Sequence, residues 1–304
     1  MSATPDSLKS ILFALGANFS IAVAKGFAAM YTGSGAMLAE AIHSLADSGN
    51  QLLLILGLKQ SRRPPNIDFP LGFGKSIYFW SFLVALVLFM LGGVFSLYEG
   101  WHKLNHPEDL NTPMLAVGVL IFAIIAESVS LWGCIREINK ERYGRGYFQW
   151  FRESRRSELV VVFGEDIAAL MGLSVALLAI IATMLSGDPV YDAIGTVIIG
   201  ILLLVIAVFI AIEVKALLIG QSVDPYILQK MRQFLQGRPE IQQLYNLLTM
   251  QLGHDAMVAV KAKMAITGSE TGMIDAINRV EADFKKTFPV TTWLFFEPDH
   301  SDDD

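Results

Sequence analysis

The chain has a single cysteine, Cys134, set in an apolar run. That excludes an intrachain disulfide framework and a thiolate-built metal site. Charge is also sparse: 17% of the 304 residues are Asp, Glu, Lys or Arg, against 53% hydrophobic. A soluble domain carries about 25% charge and about 45–50% apolar residues, so the composition points to a membrane protein. Catalytic signatures are missing too. No H-E-x-x-H lies on an apolar segment, no G-x-S-x-G occurs, and Gly72-Phe73-Gly74 is too short to cradle a phosphate. An enzyme is therefore not expected. The net charge of −6 is an average over acids gathered towards the C-terminus and basic residues set between apolar segments, and no nucleic-acid partner is expected.

Long hydrophobic runs, by contrast, are plentiful. Six segments reach membrane length, about 20 residues each. They run roughly 8–31, 36–58, 76–101, 112–135, 158–185 and 190–218. The first follows a short polar start without an A-x-A-like cleavage site, so no signal peptide is expected. The link after the second segment holds Lys59, Arg62, Arg63 and Lys75. The link after the fourth holds Arg136, Lys140, Arg142, Arg145, Arg152, Arg155 and Arg156. The alternate links, 32–35, 102–111 and 186–189, hold only Lys103. Basic loops stay in the cytoplasm, which places both termini there. The lack of a targeting segment fits a bacterial inner membrane. Within the last basic loop, Tyr147-Phe148-Gln149-Trp150-Phe151-Arg152 reads either as a short interfacial helix with aromatics at the lipid headgroups or as an ordinary loop.

From about Val223 the character changes. Asp224-Pro225 breaks the sixth helix, and Pro225 to Gln236 reads as a helix with proline in its first turn. Leu247–Gln251 and Met257–Ala265 read as strands, the second alternating as Val258, Val260, Ala262, Met264. An amphipathic helix over Met273 to Phe288 and a strand over Thr291–Phe296 follow. The expected fold class is a membrane all-α bundle of six transmembrane helices, residues 1–220, plus a small α+β cytoplasmic domain, residues 221–304. Its acidic tail, His300-Ser301-Asp302-Asp303-Asp304, reads as solvated and disordered.

Two polar clusters interrupt the apolar segments. In the second segment, Ala39 to Gln51 carries His43 and Asp47, four residues apart and so on one helical face. An ionisable group in hydrocarbon costs about 2.5–3.5 kcal/mol even on the lenient insertion scale. The pair is either half of a transition-metal site or a polar clasp between two helices. The fifth segment carries adjacent carboxylates, Glu165 and Asp166. Helical geometry lets Asp166 point at His43 and Asp47, with Glu165 about 100° around and able to join only by rotation or a long reach. Asn18, Glu99 and Glu127 are polar singletons within the spans, and Glu127 is given no metal role. One imidazole with two or three carboxylates suits zinc, and equally manganese, iron or cobalt. The same lone pairs take protons, so a site reached alternately from each side would exchange metal for protons.

In this order, Glu40-Ala41-Ile42-His43-Ser44-Leu45-Ala46-Asp47, Pro70-Leu71-Gly72-Phe73-Gly74, Glu165-Asp166-x-Ala168-Ala169 and Pro189-Val190-Tyr191-Asp192 resemble the cation diffusion facilitators. The likeness covers nearly the whole chain and is to the branch containing the mitochondrial zinc transporter of animals. It implies a homodimer exporting divalent metal from the cytoplasm against protons, with His43, Asp47 and Asp166 as ligands. It also implies a ferredoxin-like C-terminal domain that dimerises. Three departures stand out. Where zinc-handling members carry histidine before the segment-five aspartate, this chain has Val162; Glu165 stands in for it, as ligand or as proton carrier. Phe69 replaces the loop histidine. The tail ligand positions fall on Lys261, Ile274 and Phe295, with only Glu297 matching, so that domain is expected to hold no metal pair. A domain without ligands also leaves a different reading: a membrane-embedded metal sensor or scaffold that recruits partners through its C-terminal domain.

Overall fold

The computed structural model describes residues 5–107, 109–265 and 268–301, with side chains from Asn18 onward. Each of the six apolar segments falls within a helix: α1 (Pro5–Thr32), α2 (Gly35–Ser61), α3 and α4 (Ser76–Val87 and Phe95–Asn105), α5 (Pro113–Glu141), α7 (Ser157–Ser186) and α8 (Val190–Ile219). Between α3 and α4 the rod passes through a π-helical stretch, Leu88–Val94. Wider π turns shift the faces of α4 against those of α3, which a 3.6-residue period does not anticipate.

Among the described residues, four helices are long and apolar enough to cross a membrane: Ser76–Asn105, Pro113–Glu141, Ser157–Ser186 and Val190–Ile219. The 27 residues of α2 match them in length, but Glu40, His43, Asp47, Asn50 and Gln51 lower its hydropathy. The outer face of α5 exposes Ile121, Phe122, Ile125, Val129 and Trp132, an apolar surface that suits hydrocarbon rather than water. Backbones approach closely between α4 and α8. A Cβ on Gly100 would lie 2.6 Å from Val197 Cγ2, and one on Gly200 2.8 Å from Leu97 N. Small residues at such crossings are what packing in lipid requires.

The chain forms two compact units. One comprises the helical stretches up to Leu56, Trp80–Glu141 and Glu158–Val214; the other comprises Gly57–Phe79, Arg142–Ser157 and the chain from Lys215 onward. In the second, α9 (Pro225–Gln236), β1 (Ile241–Leu252), β2 (Asp255–Met264), α10 (Glu270–Thr287) and β3 (Thr291–Pro298) follow in order. The sheet order is β1-β2-β3, with β1 antiparallel and β3 parallel to the central β2. The alternation read in β2 holds: Val258, Val260, Ala262 and Met264 are buried, beneath Val280 and Phe284 of α10 and with Met231 and Leu235 of α9 in the same core. The Asp224 carboxylate caps α9 by accepting from Tyr226 N at 2.9 Å, and Ser269 caps α10 by accepting from Gly272 N at 3.1 Å. Of the acidic tail, Asp302–Asp304 lie outside the described residues.

Of the two basic links, Gly57–Phe79 and Arg142–Ser157 belong to this second unit, while Arg136 and Lys140 fall on α5 in the first. The aromatic run forms a helix, α6 (Tyr147–Glu153), but Trp150 and Phe151 are buried, leaving Tyr147 and Phe148 exposed. Arg145 ties the loop to the start of α9, with Nη1 2.8 Å from Glu153 Oε2 and Nη2 2.7 Å from Asp224 Oδ2. The Tyr143 ring stacks on Tyr226 with centroids 4.3 Å apart. Hydrogen bonds from Gln149 and Arg145 hold the Glu153 carboxyl below its ordinary range.

Candidate functional site

The position of α2 is set at its first turn. The Asp192 carboxylate, from the start of α8, accepts from Ser34 Oγ at 2.5 Å and from Gly35 N at 2.7 Å. A carboxylate there satisfies orphan amides and complements the helix dipole, which gives the Pro189–Asp192 motif a structural task. Two turns on, α2 carries the polar face. His43 is fully buried, with Nδ1 3.5 Å from Asp47 Oδ1. That is within ion-pair range but too long for a good hydrogen bond.

Across from it, α7 presents Glu165 and Asp166, both under 9% exposed. Asn50 Nδ2 donates to Glu165 Oε1 at 2.5 Å, and Ser130 Oγ on α5 donates to Asp166 Oδ1 at 3.1 Å. A cavity of about 30 Å³ lies between these helices, lined by Asn18 of α1, Ser44, Asp47 and Gln51 of α2, Glu127 and Ser130 of α5, and Val162, Glu165 and Asp166 of α7. It has room for one or two waters, or for an ion in place of them. The structure therefore brings Asp47, Glu165 and Asp166 to one wall-to-wall space, and Glu165 reaches it from its own turn, steered by Asn50. Val162 is on the same wall.

His43 is not on that wall, and among the described residues no group of three His, Cys, Asp or Glu side chains is close enough to hold a metal ion. Closing a coordination shell takes side-chain rotation. Both His43 ring nitrogens, Asp47 Oδ1 and Asp166 Oδ2 are buried without a hydrogen-bond partner. Buried polar atoms are seldom left so, and a cation that accepts their lone pairs removes the penalty. The donor set, one imidazole with carboxylates, fits zinc, manganese, iron or cobalt.

Sequence reasoning gave no place in the site to three groups. Asn50 lies three residues beyond Asp47, and Glu127 three before Ser130, each on the same helical face as its neighbour. That phase was the available signal. The third is Lys25 of α1, fully buried, with Nζ 3.2 Å from Glu40 Oε2 and 2.6 Å from Ser44 Oγ. A lysine inside an apolar span was its signal. In the second unit, the tail positions carry other chemistry. Lys261 Nζ pairs with Asp299 Oδ2 at 3.1 Å, while Ile274 and Phe295 are exposed. Hydrogen bonds from Lys261 and from the His300 amide hold the Asp299 carboxyl low.

Residues 11–219 match the family described as the cation efflux transmembrane domain. The chain is 34% identical over 241 residues to the proton-coupled zinc antiporter SLC30A9, mitochondrial, of Xenopus laevis, covering 79% of this chain and 43% of that protein. For the human protein of the same name the identity is 31% over 231 residues, 75% of this chain and 41% of that one. The zinc transporter ZitB of Escherichia coli is 21% identical over 299 residues, 98% of this chain and 90% of its own length. The chain thus spans less than half the length of the two antiporters.

Proposed function

The chain belongs to the cation efflux family, and on that footing we propose that it carries a divalent transition metal out of the cytoplasm in exchange for protons. It is an integral membrane protein, and its relatives are named as transporters rather than enzymes. The expected bacterial inner membrane has no support from the antiporters, which are named mitochondrial. We read all six long helices as spans, residues 1–220 as the transport domain, and residues 221–304 as a cytoplasmic dimerisation domain. The apolar side chains Leu248, Ile274 and Phe295, exposed in the single chain, support a homodimer. The basic loops support a cytoplasmic position for both termini.

One observation carries the reading. A small cavity between helices gathers Asp47, Glu165 and Asp166, and four donor atoms on His43, Asp47 and Asp166 are buried without partners. We assign the metal to His43, Asp47, Asp166 and Glu165. Metal binding displaces protons from these groups, and proton binding displaces the metal, so access from alternate sides couples the two flows. Zinc is the first choice from the imidazole and from the relatives' names; manganese, iron and cobalt fit the carboxylates.

The test is metal-driven proton movement. Full-length protein in liposomes loaded with a pH dye is expected to move protons against added zinc, manganese, cobalt or iron(II), zinc most strongly. No proton movement with any of them overturns the proposal in favour of a sensor or scaffold.

A further inference from the structure

The carboxylate cavity has a fixed positive charge beside it that the transport reading does not use. Lys25 is buried to 0% exposure in α1, and its Nζ donates to Ser44 Oγ at 2.6 Å and to Glu40 Oε2 at 3.2 Å. Ser44 lines the cavity that holds Asp47, Glu165 and Asp166, so one hydroxyl separates the ammonium from the cavity. Glu40 is equally buried and lies farther off. On α2 the rise from Ser44 to Asp47 is about 4.5 Å, and from Glu40 to Asp47 about 10 Å. The ion pair is thus an oriented dipole, positive end toward the cavity.

The packing fixes that orientation. Glu40 Oε1 has no hydrogen-bond partner and lies against Gly172 of α7, where any Cβ would collide with it. A glycine at 172 leaves the carboxylate the only space it has, and the carboxylate in turn holds the ammonium at Ser44. A salt bridge buried in an apolar span is costly to build and is seldom retained for stability alone.

Resting on the site assignment above, we propose that Lys25 is a positioning residue that sets the affinity of the site for the transported cation. Its charge opposes the divalent ion, keeping affinity low enough for release, and Glu40 offsets part of that opposition. At separations of about 8 Å in a partly buried site, one such charge changes cation affinity by roughly ten-fold or more.

The sign pattern across variants tests this, read by calorimetric zinc and cobalt(II) binding to the full-length protein at fixed pH and salt. Lys25→Met is expected to tighten binding roughly ten-fold, and Glu40→Gln, which leaves the ammonium uncompensated, to weaken it roughly ten-fold. The double variant falls between them, and Lys25→Arg rescues the loss of charge. Where Lys25→Met does not fold, Glu40→Gln is compared with Lys25→Gln/Glu40→Gln, and the double variant binds tighter. Both single variants weakening alike, or neither changing, makes the pair a clasp between α1 and α2 and overturns the inference. Asp47→Ala separates the two layers: if it binds zinc as wild type does, the site assignment falls and the inference with it. If it abolishes binding while the Lys25 and Glu40 variants show no opposed shifts, only the inference falls.

Discussion

Metal flux through Asp47→Ala is expected to fall at least 100-fold while the protein stays folded. Groups that merely orient a metal ligand cost about 10–100-fold when removed, so loss of a ligand belongs at or beyond the upper end. The fold has little to lose. Asp47 Oδ1 has no hydrogen-bond partner, and the 3.5 Å contact with His43 is weak, so the side chain contributes charge rather than cohesion. Removing a buried carboxylate lifts its desolvation penalty, and the melting temperature should hold or rise. Zinc flux into liposomes, measured beside a melting curve, checks both halves. If flux and melting temperature fall together, His43 and Asp47 clasp helices instead of binding metal.

The second large effect is structural. Gly74 closes the Pro70–Gly74 motif, and a Cβ there would collide with the carbonyl oxygen of Leu252. From the other side, a Cβ on Gly253 would lie 2.5 Å from the Gly74 carbonyl oxygen, and Gly253 N donates to the Tyr78 hydroxyl at 2.9 Å. Two backbones touch at this point, with a backbone atom rather than a flexible side chain in the way. Gly74→Val should therefore cost about 3 kcal/mol, at the top of the usual overpacking range. It should melt well below wild type in a thermal scan of the purified protein. Gly118→Ala in α5 is the comparison: its Cβ meets nothing within 4 Å, and alanine favours a helix. A Gly74→Val protein that melts with wild type would show that the loop does not sit on the β1–β2 turn.

The motif had been legible only as a resemblance; the contact with Leu252 and Gly253 depends on residues about 180 positions away in sequence, which no local pattern reveals. Elsewhere local chemistry was enough. Asp224-Pro225 marked the start of α9, because a capping carboxylate and a proline at the first turn act within that turn. The alternation in β2 survived because one face of the strand is buried. In β1 it did not. Gln242, Gln243 and Asn246 interrupt the apolar period, and the register slips between Ile241 and Gln243 and between Leu244 and Asn246, so only the second half of the strand was readable.

The site divides along the same line. His43, Asp47, Glu165 and Asp166 stand out because each is costly in an apolar segment, His43 and Asp47 at helical spacing and Glu165 and Asp166 as adjacent carboxylates. What they face does not follow from spacing on one helix. That Glu165 reaches the cavity depends on the Asn50 amide of α2. That Glu127 joins the same wall depends on the rotation of α5, and Lys25 matters only once α1 is seen beside Ser44.

Zinc K-edge absorption on the zinc-loaded, full-length protein tests the central assignment most directly. We predict a shell of nitrogen and oxygen donors at about 2.0–2.1 Å with a single imidazole signature and no sulfur, lost in the Asp47→Ala/Asp166→Ala double variant. A sulfur scatterer at about 2.3 Å, or the same shell persisting in the double variant, would contradict it.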